Sequence, residues 1–163
     1  PVRQRGPKTK ARDDIIIEGV GNLMTTMAKC CHPVPGDPVA GYVTQGRGVT
    51  IHREDCGQVV HWRAENSPRL LQVNWGEKPA TRYAVKLIVR AFDRRDLIRD
   101  ISTVFSTGET QVTDISSKLD ETLDEVTIRI RVRVKDYEAL SDLLSRLGNV
   151  SNVIEARRLR QSG

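Results

Sequence analysis

Between Glu125 and Val134 the chain alternates without a break: Val126, Ile128, Ile130, Val132 and Val134 are separated by Thr127, Arg129, Arg131 and Arg133. A period of two sends successive side chains to opposite faces, so this stretch is a strand with one face that must be covered and one that carries cations. The flanking residues predict what covers it. A strand over 82–92 turns Val85, Leu87, Val89 and Ala91 one way and Lys86 and Arg90 the other, and a further strand spans 111–119. Asp93 and Asp96 stand as caps before a helix whose stripe is Leu97, Ile98, Ile101, Val104 and Phe105, ended by Gly108. Asp136 caps a second helix with Leu140, Leu143, Leu144 and Leu147, Gly148 stops it, and 150–157 is a last strand. The order β-α-β-β-α-β predicts an α+β, ferredoxin-like unit, a four-stranded antiparallel sheet with both helices on one face.

Covering the apolar face leaves Arg129, Arg131 and Arg133 on the open one, joined by Lys86 and Arg90 if the first strand lies alongside. Guanidinium groups match phosphates in bidentate fashion, which makes the face a candidate RNA surface. The alternative is a solvated face, its arginines paired with acids or covered by a partner subunit. RNA-recognition motifs share this strand order but stack bases on aromatic residues of the central strands. Here those strands carry arginine, and Phe92 is the only aromatic near the C-terminal end of either, which argues against base-specific readout.

The first half is organised by sulfur and imidazole. All three cysteines and two of the three histidines fall in Cys30-Cys31-His32 and His52-Arg53-Glu54-Asp55-Cys56. Zinc favours thiolate and imidazole, and four such ligands leave no vacancy for substrate, so the set predicts a structural rather than catalytic ion. Adjacent Cys30 and Cys31 converge only at a turn, and Pro33-Val34-Pro35-Gly36-Asp37 is rich in turn formers. His32 and His52 compete for the fourth position. Three reduced buried thiols with no metal are the other reading. An odd cysteine count with two adjacent argues against a disulfide scaffold.

Around this cluster 15–17 reads as a short strand, and Asn22 caps a short helix to Ala28 on which Leu23, Met24 and Met27 recur at helical spacing. Strands over 39–44 and 49–52 are joined by Gln45-Gly46-Arg47-Gly48, whose glycines suit a hairpin turn and leave Arg47 at the tip. Asp55 or Arg53 caps a helix running from Cys56 to about Glu65, and a strand over 70–75 closes the unit. Residues 1–14 hold Arg3, Arg5, Lys8, Lys10 and Arg12 with almost nothing apolar, which predicts a flexible basic linker. The expected division is therefore 1–14 linker, 15–77 metal unit and 78–163 ferredoxin-like unit.

At 163 residues and 38% hydrophobic, the chain can bury one real core or two small ones, and the pattern favours two. It has no apolar run of membrane-spanning length and no signal-peptide core, which points to the cytoplasm. Starting at Pro1, it reads as a piece of a longer chain. Divided at Glu77, the halves hold 10 basic against 8 acidic and 16 against 13 residues. Neither is extreme, so any nucleic-acid reading rests on where the charges sit.

The run from Glu18-Gly19-Val20-Gly21-Asn22-Leu23 through Ala28-Lys29-Cys30-Cys31-His32-Pro33-Val34-Pro35-Gly36-Asp37 and Gly41 to Cys56 resembles the zinc-finger, conserved-cysteine domain of the long RelA/SpoT family, closest to its RelA branch. The second half, including Ile154-Glu155-Ala156-Arg157-Arg158, resembles that family's ACT domain. The resemblance implies the regulatory end of a ribosome-associated GTP pyrophosphokinase, a stringent-response enzyme making guanosine tetra- and pentaphosphate, with its catalytic domains upstream. It implies zinc on Cys30, Cys31, His52 and Cys56, with His32 outside the set. It implies docking near the ribosomal A site against ribosomal RNA and uncharged tRNA, for which the linker, Arg47, Arg53, Lys86, Arg90, Arg129, Arg131 and Arg133 are candidate contacts. The fragment itself would not transfer pyrophosphate. Amino-acid-sensing ACT domains carry Gly in a pattern like Asp-Arg-x-Gly-Leu, where this chain has Asp93-Arg94-Arg95-Asp96-Leu97, so a carboxylate stands where a ligand would approach backbone. Sensing an amino acid, or pairing of two copies, without RNA contact is the alternative function.

Overall fold

The structure, a computed structural model, describes residues 15–17, 23–46, 48–76, 82–106 and 108–159. The linker expected over 1–14 and the hairpin-tip Arg47 lie outside these residues. None of the described helices is long and apolar enough to cross a membrane.

In the second half β6 (Tyr83–Phe92), α2 (Leu97–Ser106), β7 (Gln111–Asp120), β8 (Glu125–Val134), α3 (Tyr137–Gly148) and β9 (Val153–Arg158) form an antiparallel sheet ordered β7-β8-β6-β9. This is the expected ferredoxin-like topology. Leu87, Val89, Ile128, Ile130 and Val132 are fully or almost fully buried together with Ile101, Leu140, Leu143 and Leu147 of the helices, so the alternation read from sequence is the alternation of the pleat. The Asp136 carboxylate accepts the Ala139 amide at 2.8 Å and caps α3 as expected. Gly148 is the last helical residue rather than a left-handed stop: the helix runs out at Asn149, whose amide bonds back to Ser145 and Arg146 carbonyls. At the start of α2, Asp96 holds φ +65° while its carbonyl accepts the Asp100 amide at 3.0 Å. The backbone conformation that suits glycine is thus occupied by an aspartate.

In the first half β1 (Ile15–Ile17), β2 (Thr25–Met27), β3 (Val39–Thr44), β4 (Gly48–Arg53), α1 (Gly57–Ala64) and β5 (Leu70–Trp75) build a five-stranded sheet ordered β1-β5-β3-β4-β2. The short helix expected between Asn22 and Ala28 does not form over its described part. Thr25–Met27 is a strand paired in parallel with Val49–Ile51, Met24 is 76% exposed, and no apolar stripe exists there. Two β-branched threonines beside an open edge of β4 prefer the ladder to a one-turn helix, and the tertiary pairing outweighs the local spacing. The pairing is tight at Gly48, φ +124°, where a side chain would collide with the Met24 carbonyl. Gly46 at the tip also has positive φ, +80°, as the hairpin reading requires. The core here is small, Val39, Val49, Ile51 and Val73, with Met27, Val43, Leu71 and Trp75 around it.

Candidate metal centre and basic face

Two backbone turns place the sulfurs. The amide of Ala28 continues the β2–β4 ladder onto the Ile51 carbonyl at 2.9 Å, so the chain leaves β2 beside His52. The His32 amide then bonds the Ala28 carbonyl at 3.0 Å and curls 28–32 into a single turn. That curl makes the neighbours Cys30 and Cys31 converge, whereas on an extended strand they would diverge. On the other side the Cys56 amide bonds the Arg53 carbonyl at 3.0 Å and brings Cys56 back under β4. Cys56 itself opens α1, without a side-chain cap from Asp55 or Arg53.

The outcome is a four-cornered group. Cys30 Sγ lies 3.9 Å from Cys31 Sγ, 3.7 Å from Cys56 Sγ and 3.3 Å from His52 Nδ1, and His52 Nδ1 is 3.8 Å from both Cys31 and Cys56 sulfurs. All four ligand atoms lie within 4.8 Å of one another. With metal–sulfur bonds of about 2.3 Å a tetrahedron has edges of roughly 3.8 Å, so the donors stand where a four-coordinate ion would need them. Disulfide bonding would need sulfurs about 2.05 Å apart, and all three cysteines are free. The residues could therefore hold a metal ion, with three sulfurs and one nitrogen and no place left for a substrate. His32 stays outside the group: its Nε2 is buried without a hydrogen-bond partner among the described residues. Burial first, and then Lys86, Arg158 and Arg131, push its imidazole below the ordinary histidine range.

The surroundings orient the donors. The Arg53 amide donates to Cys31 Sγ at 3.3 Å, and Trp62 of α1 meets the His52 ring edge-on at 5.2 Å while stacking on Tyr42 of β3 at 3.7 Å. Sequence gave no sign of this aromatic buttress, because nothing in spacing ties a helix tryptophan to a strand tyrosine twenty residues away. Burial pushes the Cys30 and Cys31 thiols up from their usual range, and it pushes the 5%-exposed His52 down. Near neutrality His52 is thus already neutral and gives up no proton, while a metal must displace those of Cys30 and Cys31. Metal affinity is accordingly expected to rise with pH, by about a hundredfold per unit from these two thiols, as read by chelator competition between about pH 6 and 8. A flat profile would mean that the thiolates exist before the metal arrives.

The second feature is the open face of the other sheet. Register sets Lys86 opposite Arg131, Ala84 opposite Arg133 and Ile88 opposite Arg129, so the five expected cations share one face. They are not equivalent. Arg90 is held by Glu155 at 3.2 Å and Glu125 at 3.5 Å, and Arg157 shares Glu155 at 3.3 Å. Arg53, of the first half, is spoken for by Asp55 at 2.6 Å. Arg129, Arg131 and Arg133 are exposed and close no ion pair within 4.0 Å among the described residues, although Asp114 of β7 stands across from Arg131. A cavity of about 430 Å³ at the end of β6 has both carboxylates and guanidinium groups in its lining, Asp93 and Asp96 with Arg94 and Arg99.

Residues 15–76 match the RelA/SpoT RIS domain and residues 79–158 match an ACT domain. The chain is 41% identical over 145 residues to a GTP pyrophosphokinase of Haemophilus influenzae, covering 89% of this chain and 20% of that protein. It is 37% identical over 158 residues to a GTP pyrophosphokinase of Escherichia coli (strain K12), covering 96% and 21%. It therefore spans about a fifth of the length of the curated relatives it matches. Among solved structures, the ACT domain of a GTP pyrophosphokinase from Chlorobium tepidum is similar at 22% identity with a TM-score of 0.44, over 48% of this chain and 100% of that one.

Proposed function

This chain belongs to the RelA/SpoT family, with its RIS and ACT domains in tandem, and from that premise we propose that it is the regulatory end of a GTP pyrophosphokinase, anchoring the enzyme to the ribosome and uncharged tRNA. Synthesis of the guanosine polyphosphates belongs to catalytic domains outside this chain. Zinc, held by Cys30, Cys31, His52 and Cys56, stabilises the first unit. When bound it supplies charge neutralisation for three thiolates and a rigid cross-link between β2, β4 and α1, and it takes no part in a reaction.

The observation that carries the RNA reading is the unpaired row Arg129, Arg131 and Arg133 beside Lys86. Exposed guanidinium groups that close no ion pair keep their charge available, less so Arg131 with Asp114 across from it, and alternate positions along one strand set them on a line that can follow a phosphate backbone. Arg90 and Arg53, being paired, contribute less. Binding of this kind releases counterions. The test is a salt titration of the chain's affinity for uncharged tRNA and for ribosomes: the logarithm of affinity should fall linearly with that of salt concentration, with a slope corresponding to about three to five phosphate contacts. Binding that ignores salt, or heat released on adding a free amino acid in the absence of RNA, would replace this reading with the sensing one. Asp96, with φ +65°, where amino-acid-sensing domains carry glycine, weighs against the latter.

A further inference from the structure

The segment that leaves the metal centre is not part of the first core. Val34, four residues beyond Cys30 and fully buried, packs among Tyr83, Leu87, Leu140 and the rest of the second unit's interior. Pro35 offers its carbonyl to the Tyr137 amide at 2.7 Å, and Gly36 lies so close to that residue that an added Cβ would come within 2.9 Å of the Tyr137 side chain. Asp37, 4% exposed, takes both terminal nitrogens of Arg158 at 2.9 and 3.1 Å, and one of them also reaches the His32 carbonyl at 2.8 Å. Trp75 closes the side, donating to the Asp37 carbonyl at 2.9 Å and meeting Tyr83 edge-on at 5.8 Å. Residues 32–37 are thus attached at one end to two metal ligands and gripped at the other by α3 and β9.

We propose that this segment is a metal-dependent latch: the ion that fixes Cys30 and Cys31 fixes the position of the ACT unit, through Val34, Pro35 and Asp37, and loss of the ion releases that unit. The proposal rests on the metal reading above. Its physical basis is stiffness and burial. Pro33 and Pro35 fix two of the backbone angles, and Asp37 bonds the Val34 amide at 2.8 Å, so the six residues move as one piece. A buried, bidentate carboxylate–guanidinium pair is satisfied in one geometry, and displacing the segment would leave two buried charges unpaired. Coupling of this kind is reciprocal, so whatever the ion does for docking, docking does for affinity by the same factor.

Three measurements on this chain test it. Stripping Zn²⁺ with a chelator should accelerate hydrogen exchange at the Tyr137 amide, at a position far from the thiols in sequence. Arg158→Gln and Tyr137→Pro should each weaken Zn²⁺ binding by about five- to a hundredfold, read by competition with a chromophoric chelator. The second variant keeps α3, since proline is tolerated at a first helical residue, but replaces the Tyr137 amide hydrogen by a ring carbon that the Pro35 carbonyl must move away from, and so serves if Arg158→Gln fails to fold. Arg63→Gln, which breaks only an exposed pair with Glu54, should leave affinity unchanged. Equal affinity in the wild type and both latch variants, or a Tyr137 amide equally protected with and without Zn²⁺, overturns the latch while the metal site stands. A wild-type chain that binds no Zn²⁺ overturns both.

Discussion

Cys31→Ala is expected to yield a chain without metal and without a folded first sheet, while the second sheet persists. The thiol contributes one corner of the donor group and also accepts the Arg53 amide that closes the end of β4. The core it supports is small, four buried side chains with four partly buried ones packed on them, little with which to hold a five-stranded sheet by burial alone. A structural zinc site in a small domain supplies an apparent ~10–16 kcal/mol at neutral pH, comparable to the whole ~5–15 kcal/mol stability of a typical domain. Elemental analysis should show less than one zinc per chain, and far-UV circular dichroism should lose part of its β signal. Amides of 39–53 and 70–75 should exchange freely while those of 125–134 stay protected. Unchanged protection across 39–53 would show that this small core suffices and that the ion is dispensable.

Reversing three charges together, Arg129→Glu, Arg131→Glu and Arg133→Glu, is expected to abolish RNA association while leaving the fold intact. All three side chains are exposed, and the apolar residues between them face the helices, so the substitutions touch no core contact. Each lost phosphate contact should make the log–log salt dependence shallower by about 0.7 to 0.9, or about 2 to 3 for the row. The added like-charge repulsion takes the affinity for tRNA and ribosomes down by about a hundredfold or more at moderate salt. Thermal unfolding serves as the control, since surface substitutions of this type shift stability by ~0.5 kcal/mol each or less. Full retention of ribosome binding would clear the face of that role and leave it a solvated surface. Arg90→Glu is a useful contrast because its charge is already shared between Glu125 and Glu155, the latter carboxyl held below its usual range by Arg90 first and Arg157 second.

Much of the second unit was legible because burial and sequence run at the same period. Val126 to Val134 needed only its alternation, and Asp136 only its place before a leucine stripe, for strand, cap and helix to follow. The 22–28 helix failed for the opposite reason. Leu23, Met24 and Met27 have helical spacing, but a window of this length holds too few residues to nucleate a helix, and the edge of β4 offered Thr25–Met27 three ladder partners. The metal group was readable as four soft donors, yet from residues alone His32 and His52 were equal candidates. What separates them is a parallel strand pairing that brings β2 alongside β4 and delivers Nδ1 of His52, not the ring of His32, to the sulfurs.

Residue types and their spacing determined which side chains are apolar, which are soft ligands and which are cations, and through the two periodicities they determined the strands and helices of the ACT unit. Only the tertiary structure decided which charges remain free. Arg90 and Arg129 read alike along their strands, but Arg90 lies across from Glu155 of β9 and beside Glu125, and Arg129 lies across from Ile88 and Ser116. The same holds for Asp37 and Arg158, 121 residues apart, which no local pattern connects. Local periodicity is set by the geometry of one backbone segment, whereas the pairing of charges and ligands is set by which segments the sheets bring together, and that depends on the whole chain at once.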